Sequence, residues 1–281
     1  MFVSNEYGKI KKVLFSKPLY FRILPINETT KRILDSGNLP DVKEAIQEHQ
    51  TFVDVFRNAG AEVILFEPDE RYPYQVFTRD IGVSTPKGIV LGRYKIPERQ
   101  GEEIIAENVL LEHGIPIFRH LTRGTIEGGD FMYLDQNTLA IGYGGRSSRE
   151  GVGALEEIAG LLDLEIIPVP FHADFVHLDM VGNIIGEKVA VVCREVLPHF
   201  FVEILKERRF EFIEISVKDV SFLAGNVVAL DQKTIISDKD NTRVNQQLKA
   251  LGFEVIQLKL TELLKAGGGP HCMTFPIERK S

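Results

Sequence analysis

Five strand-like segments, each preceded by a helix-like stretch, recur along this chain and constrain its fold more than any other feature. They are GAEVILFE from Gly60, GIPIFRH from Gly114, DLEIIPVP from Asp163, RFEFIEIS from Arg209 and GFEVIQLK from Gly252. Their spacing, roughly 45–55 residues, falls in the range of repeat architectures. The stretches before them carry helical periodicity: SREGVGALEEIAGLL places Val152, Leu155, Ile158 and Leu161–Leu162 at near-helical intervals. NTRVNQQLKALGF ends near Gly252, a residue suited to the position just past a helix. Earlier in each unit stand two short apolar runs joined by a turn. VFTRDIGVSTPKGIVLGR, GDFMYLDQNTLAIGYG, MVGNIIGEKVAVVC and GNVVALDQKTIISD are such pairs, with turn chemistry suited to hairpins. The words Leu134-Asp135-Gln136-x-Thr138 return as Leu230-Asp231-Gln232-x-Thr234 at the same place in another unit, which points to a common module. The unit therefore reads strand, strand, helix, strand.

Five such α/β units predict a closed ring, because closure hides the sheet edges and leaves a central channel. A ring also gathers loops from distant parts of the sequence at one axial mouth. An ordinary α/β domain of alternating elements is the competing reading. No stretch rich in Pro, Gly or Ser divides the chain, so residues 1–281 are expected to form a single domain.

At 281 residues and 44% hydrophobic content the chain can bury a substantial core. Its formal net charge of −7 argues against nucleic-acid binding, which needs a basic face. Neither the opening MFVSNEYGKIKK nor any later run has the apolar length of a signal core or membrane span, so a cytoplasmic location is expected. Cys193 and Cys272 make no disulfide framework, and no paired Cys/His spacing holds zinc; no metal or other cofactor is expected.

Four short stretches are polar beyond what a turn or core strand needs: FTRD (Phe77–Asp80), EGGD (Glu127–Asp130), HLD (His177–Asp179) and GGGPHC (Gly267–Cys272). Each lies beside a predicted strand end, where a rigid scaffold usually carries its chemistry. Cys272 is the candidate nucleophile, since three glycines and a proline before it imply a sharp turn and a close approach. Cys193, closing the apolar run VAVVC, reads as a small buried apolar residue. His271 neighbours the thiol in sequence but need not face it. His177 is the better base, because Asp179 two residues on would share its face in an extended strand and could orient the imidazole. Asp80, Glu127 and Asp179 are too many carboxylates for an acyl-transfer site, which needs donors for an oxyanion. A guanidinium, planar and permanently charged with five N–H donors, is the natural partner for such acids. A divalent-metal site is the alternative, made less attractive by Cys and His in the same set.

With these motifs in hand, the chain resembles the guanidino-group-modifying enzymes: arginine deiminases, dimethylarginine dimethylaminohydrolases and amidinotransferases. The resemblance runs from KIKKVLFSKP through EHQTFVDVFRNAGAEV to GGGPHCMTFPIER, with FTRD, EGGD, HLD and GGGPxC in that order. It implies a five-bladed α/β propeller of ββαβ units. It also implies Cys272 as nucleophile, His177 as general acid/base and Glu127 as the acid that contacts the guanidinium and supports the histidine. Asp80 and Asp179 would grip the guanidinium nitrogens, while Arg99 and Arg146 would bind the substrate carboxylate. Tyr74, in Tyr72-Pro73-Tyr74, matches neither the Asp of dimethylarginine hydrolases nor the Asn of deiminases at that position, whereas HLD and Arg79 of FTRD look deiminase-like.

The implied chemistry is covalent and two-step. Cys272 attacks the central carbon, His177 protonates the departing amine or ammonia, and water activated by the same imidazole releases a ureido product. A small guanidino compound is the expected partner, with neither nucleic acid nor membrane, and a homo-oligomer is compatible with the sequence. The alternatives are an amidinotransferase, which would pass the amidino group to an acceptor amine, and a non-catalytic protein that binds guanidino metabolites.

Overall fold

A computed structural model describes residues 2–280. Its strands form five separate three-stranded sheets, each with the same internal order. The first blade holds β1 (Lys9–Ser16), α1 (Glu28–Ser36), α2 (Val42–Asn58) and β2 (Glu62–Phe66). The second runs β3 (Gly82–Thr85), β4 (Gly88–Leu91), α3 (Glu102–Glu112) and β5 (Ile117–His120). The third runs β6 (Phe131–Asp135), β7 (Thr138–Tyr143), α4 (Arg149–Leu162) and β8 (Glu165–Pro170). The fourth runs β9 (Gly182–Gly186), β10 (Val189–Val192), α5 (His199–Glu207) and β11 (Glu211–Glu214), followed by the short α6 (Val217–Ser221). The fifth runs β12 (Val228–Ala229), β13 (Thr234–Asp238), α7 (Thr242–Ala250) and β14 (Glu254–Leu258); α8 (Thr261–Leu264) and β15 (Phe275–Lys280) complete the chain.

In blades two to five the first two strands are an antiparallel hairpin, and the helix returns the chain to a third strand parallel to the second. This is the strand–strand–helix–strand unit that the sequence repeat predicts. The first blade reaches the same pattern by another route. Its inner strand is β15, antiparallel to β1, so the two ends of the chain share one sheet. The sequence reading did not anticipate this closure.

Burial explains which strand lies where. Every residue of β3 and β9 is buried, whereas β8 and β14 are only partly covered. The first strand of each blade therefore packs inward and the third outward, with a helix against the sheet. Helix α4 is representative: Val152, Leu155 and Leu162 are buried with Leu139 and Ile141 of β7 in one core cluster. Truncating Leu155 to Ala there is expected to cost ~2–5 kcal/mol. Ser148 caps the same helix by accepting a hydrogen bond from Gly151 N, a contact of ~1 kcal/mol.

Polar contacts stitch each blade to the next all the way round. Ser84 Oγ donates to Ile277 O between blades two and one, and Tyr133 Oη to Ser84 O between three and two. Leu178 N donates to Asp130 Oδ1 between four and three, Asn183 Nδ2 to Val227 O between four and five, and Ile10 N to Leu230 O between one and five. The architecture is the five-bladed α/β propeller of ββαβ repeats.

Candidate active site

The polar motifs occupy equivalent places in the repeat. Asp80 lies in a 3-10 turn (Thr78–Ile81) entering β3, Glu127 just before the turn Gly128–Asp130 entering β6, and His177 just before the turn Leu178–Met180 entering β9. Cys272 lies in the loop that enters β15. These are the entrances to the innermost strand of four blades, so the ring brings residues from across the sequence to one axial mouth. Asp80, Arg99, Glu127, Arg146, His177 and Cys272 all line a single cavity of about 30 Å³, which Ile26, Asn27 and Val176 help to roof.

The imidazole of His177 stands between two carboxylates. Nε2 donates to Glu127 Oε2 at 2.9 Å, and Nδ1 lies 3.5 Å from Asp80 Oδ1. Gly129 is required here, since a Cβ on it would come within 2.6 Å of His177 Nδ1. Burial opposes a charge on the ring, but Asp80, the Glu127 hydrogen bond and Asp130 outweigh it, and its pKa rises to about 10. At neutral pH the ring is an imidazolium. Burial pushes the other way on Glu127, yet its bond to His177 holds its carboxyl at about 2. Glu127 Oε1 also accepts from Lys95 N at 2.9 Å.

Asp130, the last acid of EGGD, braces this arrangement instead of facing substrate. It accepts from Leu178 N at 2.8 Å and Ser147 Oγ at 2.5 Å, fixing the HLD turn against the EGGD turn. Arg79 of FTRD is likewise a brace. Its Nε donates to Gly128 O, its Nη2 to Phe131 O, and its backbone N to Cys272 O at 3.0 Å.

Cys272 is 4% exposed at the cavity wall. The glycines before it permit the close approach that the sequence implies: a Cβ on Gly268 would fall 2.4 Å from the Phe77 ring, and one on Gly269 would fall 2.7 Å from Asn226 Oδ1. The thiol points at Asp179, Sγ to Oδ2 being 3.6 Å. Burial, Asp179 and Asp80 together push the thiol pKa well above its ordinary value, against opposing hydrogen bonds from Gly269 and Asn226. In the free protein the sulfur is therefore a neutral thiol. Cys193 is fully buried in the core cluster of blade four, away from this cavity.

Two residues that the sequence reading passed over enter the site. His271, set aside as a base, donates from Nδ1 to Asp179 Oδ2 at 2.8 Å and so holds that carboxylate beside the sulfur. Asn226 donates from Nδ2 to Cys272 Sγ at 3.1 Å. It stands two residues before β12, the fifth blade's counterpart of the positions held by Asp80, Glu127, His177 and Cys272. The repeat itself was the signal that pointed to it.

The two arginines line the same cavity but differ in how far the protein already engages them. All three nitrogens of Arg99 donate to protein acceptors: Nε to Glu102 Oε1, Nη1 to Asp80 Oδ2, and Nη2 to Glu102 Oε2 and the Phe77 carbonyl. Its guanidinium also stacks on the Tyr94 ring with 4.5 Å to the centroid. A side chain so engaged serves Asp80 and Glu102 as an internal counter-ion. Arg146 has the opposite character. It faces the cavity and makes one long hydrogen bond, from Nη2 to Ile26 O at 3.4 Å. Tyr74 lines the same cavity, and its hydroxyl accepts from Leu24 N at 3.0 Å and pins the chain that roofs it.

Among the described residues of the site, Asp179 Oδ1 is buried with no hydrogen-bond donor, and Asp80 Oδ1 has the long 3.5 Å approach of His177 Nδ1. Such atoms are costly unless something arrives to bind them. Asp80, Glu127 and His177 also each offer one ligand atom within 4.8 Å of the others, a spacing that suits a metal ion. The raised pKa of His177 places a positive charge beside these two acids, which serves them as an internal counter-ion. No helix among the described residues is long and apolar enough to cross a membrane.

Comparison with known proteins fits this geometry. The family described as "N,N dimethylarginine dimethylhydrolase, eukaryotic" matches residues 17–279. The uncharacterized protein YkgA of Bacillus subtilis (strain 168) is 35% identical over 275 residues, 98% of this chain and 94% of that one. N(G),N(G)-dimethylarginine dimethylaminohydrolase of Pseudomonas aeruginosa is 25% identical over 238 residues, covering 84% of this chain and 89% of that one. Among solved structures, the product-bound N-terminal domain of ArgZ, a cyanobacterial arginine dihydrolase, superimposes with a TM-score of 0.83. That match is 24% identical and covers 96% of this chain and 98% of that one; it speaks to the fold. Matched over nearly its whole length and carrying its chemistry at the blade entrances, the chain belongs to the N,N-dimethylarginine dimethylhydrolase family of the guanidino-group-modifying superfamily, whose fold is the five-bladed pentein propeller.

Proposed function

We propose that this protein hydrolyses the guanidinium of arginine or a closely related guanidino acid whose terminal nitrogens both keep N–H groups. The observation that carries the reading is the pair of under-satisfied buried carboxylates, Asp80 and Asp179, beside a thiol and an imidazolium. A guanidinium brings N–H donors and a positive charge to both. A fully methylated terminal nitrogen has no N–H to offer, so a carboxylate oxygen facing that nitrogen would stay unpaired.

The same cation changes the sulfur. Asp179 and Asp80 disfavour a thiolate in the empty site, and a bound guanidinium neutralises that influence, so the thiol proton leaves to solvent as substrate arrives. Cys272 then forms a C–S bond to the central carbon. His177, already protonated, donates to the nitrogen that departs as ammonia, leaving an amidino-cysteine cation held by the carboxylates. The neutral imidazole takes a proton from water, hydroxide adds to the carbon, and the C–S bond breaks to give the ureido product. Arg146, a cation at the cavity wall with one long hydrogen bond among the described residues, is suited to the substrate carboxylate. Arg99 holds Asp80 in place.

The test is a panel of arginine, its methylated forms, agmatine and shorter guanidino acids, followed for ureido product and for ammonia against alkylamine. Arginine-type substrates with free terminal nitrogens are expected to turn over best. Preference for dimethylarginine would overturn the N–H requirement, full turnover by Cys272→Ser would overturn the mechanism, and product formed only with an added acceptor amine would mark a transferase.

A further inference from the structure

We propose that Asn226 is a further catalytic residue, whose amide N–H holds the Cys272 sulfur as a thiolate while its oxygen fixes the turn that presents that sulfur. The inference rests on the reading of Cys272 as nucleophile. Asn226 is fully buried, and its side chain makes three contacts, all to the loop that carries the sulfur. Oδ1 accepts from Gly269 N at 3.1 Å and from Cys272 N at 3.2 Å. Both partners are donors, so the oxygen must face them. The nitrogen is thereby directed at Sγ, 3.1 Å away.

The surroundings of the sulfur show why such a donor matters. The ionisable side chains next to it, Asp179 and Asp80, are acids that oppose a second negative charge. Among the described residues the side-chain donor to Sγ is Asn226. A neutral donor suits the task better than a cation, since a Lys or Arg there would pair with Asp179 and occupy the place of the substrate. The repeat strengthens the assignment. Asp80, Glu127, His177 and Cys272 stand at the entrances to the inner strands of four blades, and Asn226 stands at the fifth. Every blade thus gives at least one polar side chain to the site.

Asn226→Asp separates a catalytic role from a merely structural one. It keeps an acceptor for the two backbone N–H groups and replaces the donor to sulfur by a carboxylate oxygen. The measurement is the pH dependence of Cys272 alkylation by iodoacetamide, read by peptide mass against Cys193. In this reaction the thiolate displaces iodide, the S–C bond forming as C–I breaks. The variant is expected to react about tenfold or more slowly below its midpoint, with that midpoint moved to higher pH. A profile that superimposes on the wild type overturns the proposal. If the variant fails to fold, the wild type labelled with 15N-asparagine serves instead. One side-chain amide should titrate with the thiolate absorbance, and none should do so in Cys272→Ala. A wild-type spectrum in which no side-chain amide follows the thiolate overturns the proposal equally. Alkylation needs no guanidino compound, so these outcomes stand whether or not the substrate panel yields a ureido product.

Discussion

His177 and Glu127, 50 residues apart in sequence, meet through a 2.9 Å hydrogen bond from Nε2 to Oε2, with both side chains almost wholly shielded from water. The bond ties the turn entering β9 to the turn entering β6 and, after Asp80, is the next strongest influence raising the His177 pKa. Glu127→Gln keeps the shape and removes the charge. The imidazolium then loses an important counter-charge, so its pKa falls and the basic limb of kcat/KM moves to lower pH. A loss of kcat on the order of 10²–10⁴ is expected, the usual contribution of a positioned general acid. A pH–rate profile with an unmoved basic limb would remove Glu127 from this role.

Arg99 and Arg146 are predicted to fail in different ways. Arg99→Met would leave Asp80 and Glu102 buried without their counter-ion, and the expected cost is ~3–5 kcal/mol of stability. Arg146→Ala leaves no comparable debt inside the fold, because its one hydrogen bond is long. It should raise KM for arginine by roughly 10–100-fold, the value of a charge-assisted bond, with little change for agmatine, which has no carboxylate. Thermal unfolding and KM on the two substrates separate these outcomes. Equal KM changes for arginine and agmatine would take the carboxylate away from Arg146.

The fold was legible because it is repetitive. Helical periodicity before α4 and α7, and the twin Leu-Asp-Gln-x-Thr turns before β7 and β13, repeat one module, and a module that cannot close alone must close with its copies. The first blade was less legible. Its inner strand, β15, lies at the far end of the chain from β1, and no local pattern announces a pairing across the whole sequence. The site divided along similar lines. FTRD, EGGD, HLD and GGGPHC stand out as polar words at strand entrances. Asn226 does not, because one Asn beside a Gly is ordinary turn chemistry until the blades are superimposed. The surroundings of Arg99 were not legible either. A sequence shows that an arginine is present, but not that its guanidinium is already shared among Asp80, Glu102 and backbone carbonyls.

His271 supports the site through Asp179. Burial would raise the Asp179 carboxyl, and its bond to His271 is the chief influence that instead holds it below its ordinary value. In His271→Ala that bond is lost, and Asp179 takes up a proton at higher pH than before. The acidic limb of kcat/KM should move upward, and activity at mildly acidic pH should fall by about tenfold for each pH unit below the new limb. An acidic limb identical to that of the wild type would show that His271 does not act on Asp179.

The His177–Glu127 pair should also shape stability against pH, with opposite signs for its two members. Glu127 is lowered from 4.5 to about 2, so its stabilising contribution is complete above pH 4.5 and disappears as pH falls through about 2. His177 is raised from 6.5 to about 10, so its contribution is complete below pH 6.5 and disappears as pH rises through about 10. Between those limits, from pH 4.5 to 6.5, both are at full strength. Urea unfolding of the wild type and of the double variant Glu127→Gln, His177→Gln at pH 3, 5.5 and 9 tests this. The stability difference between the two proteins should be largest at pH 5.5 and smaller at both extremes. A difference that stays constant across the three pH values would mean that the pair is not ionised in the folded protein as its geometry requires.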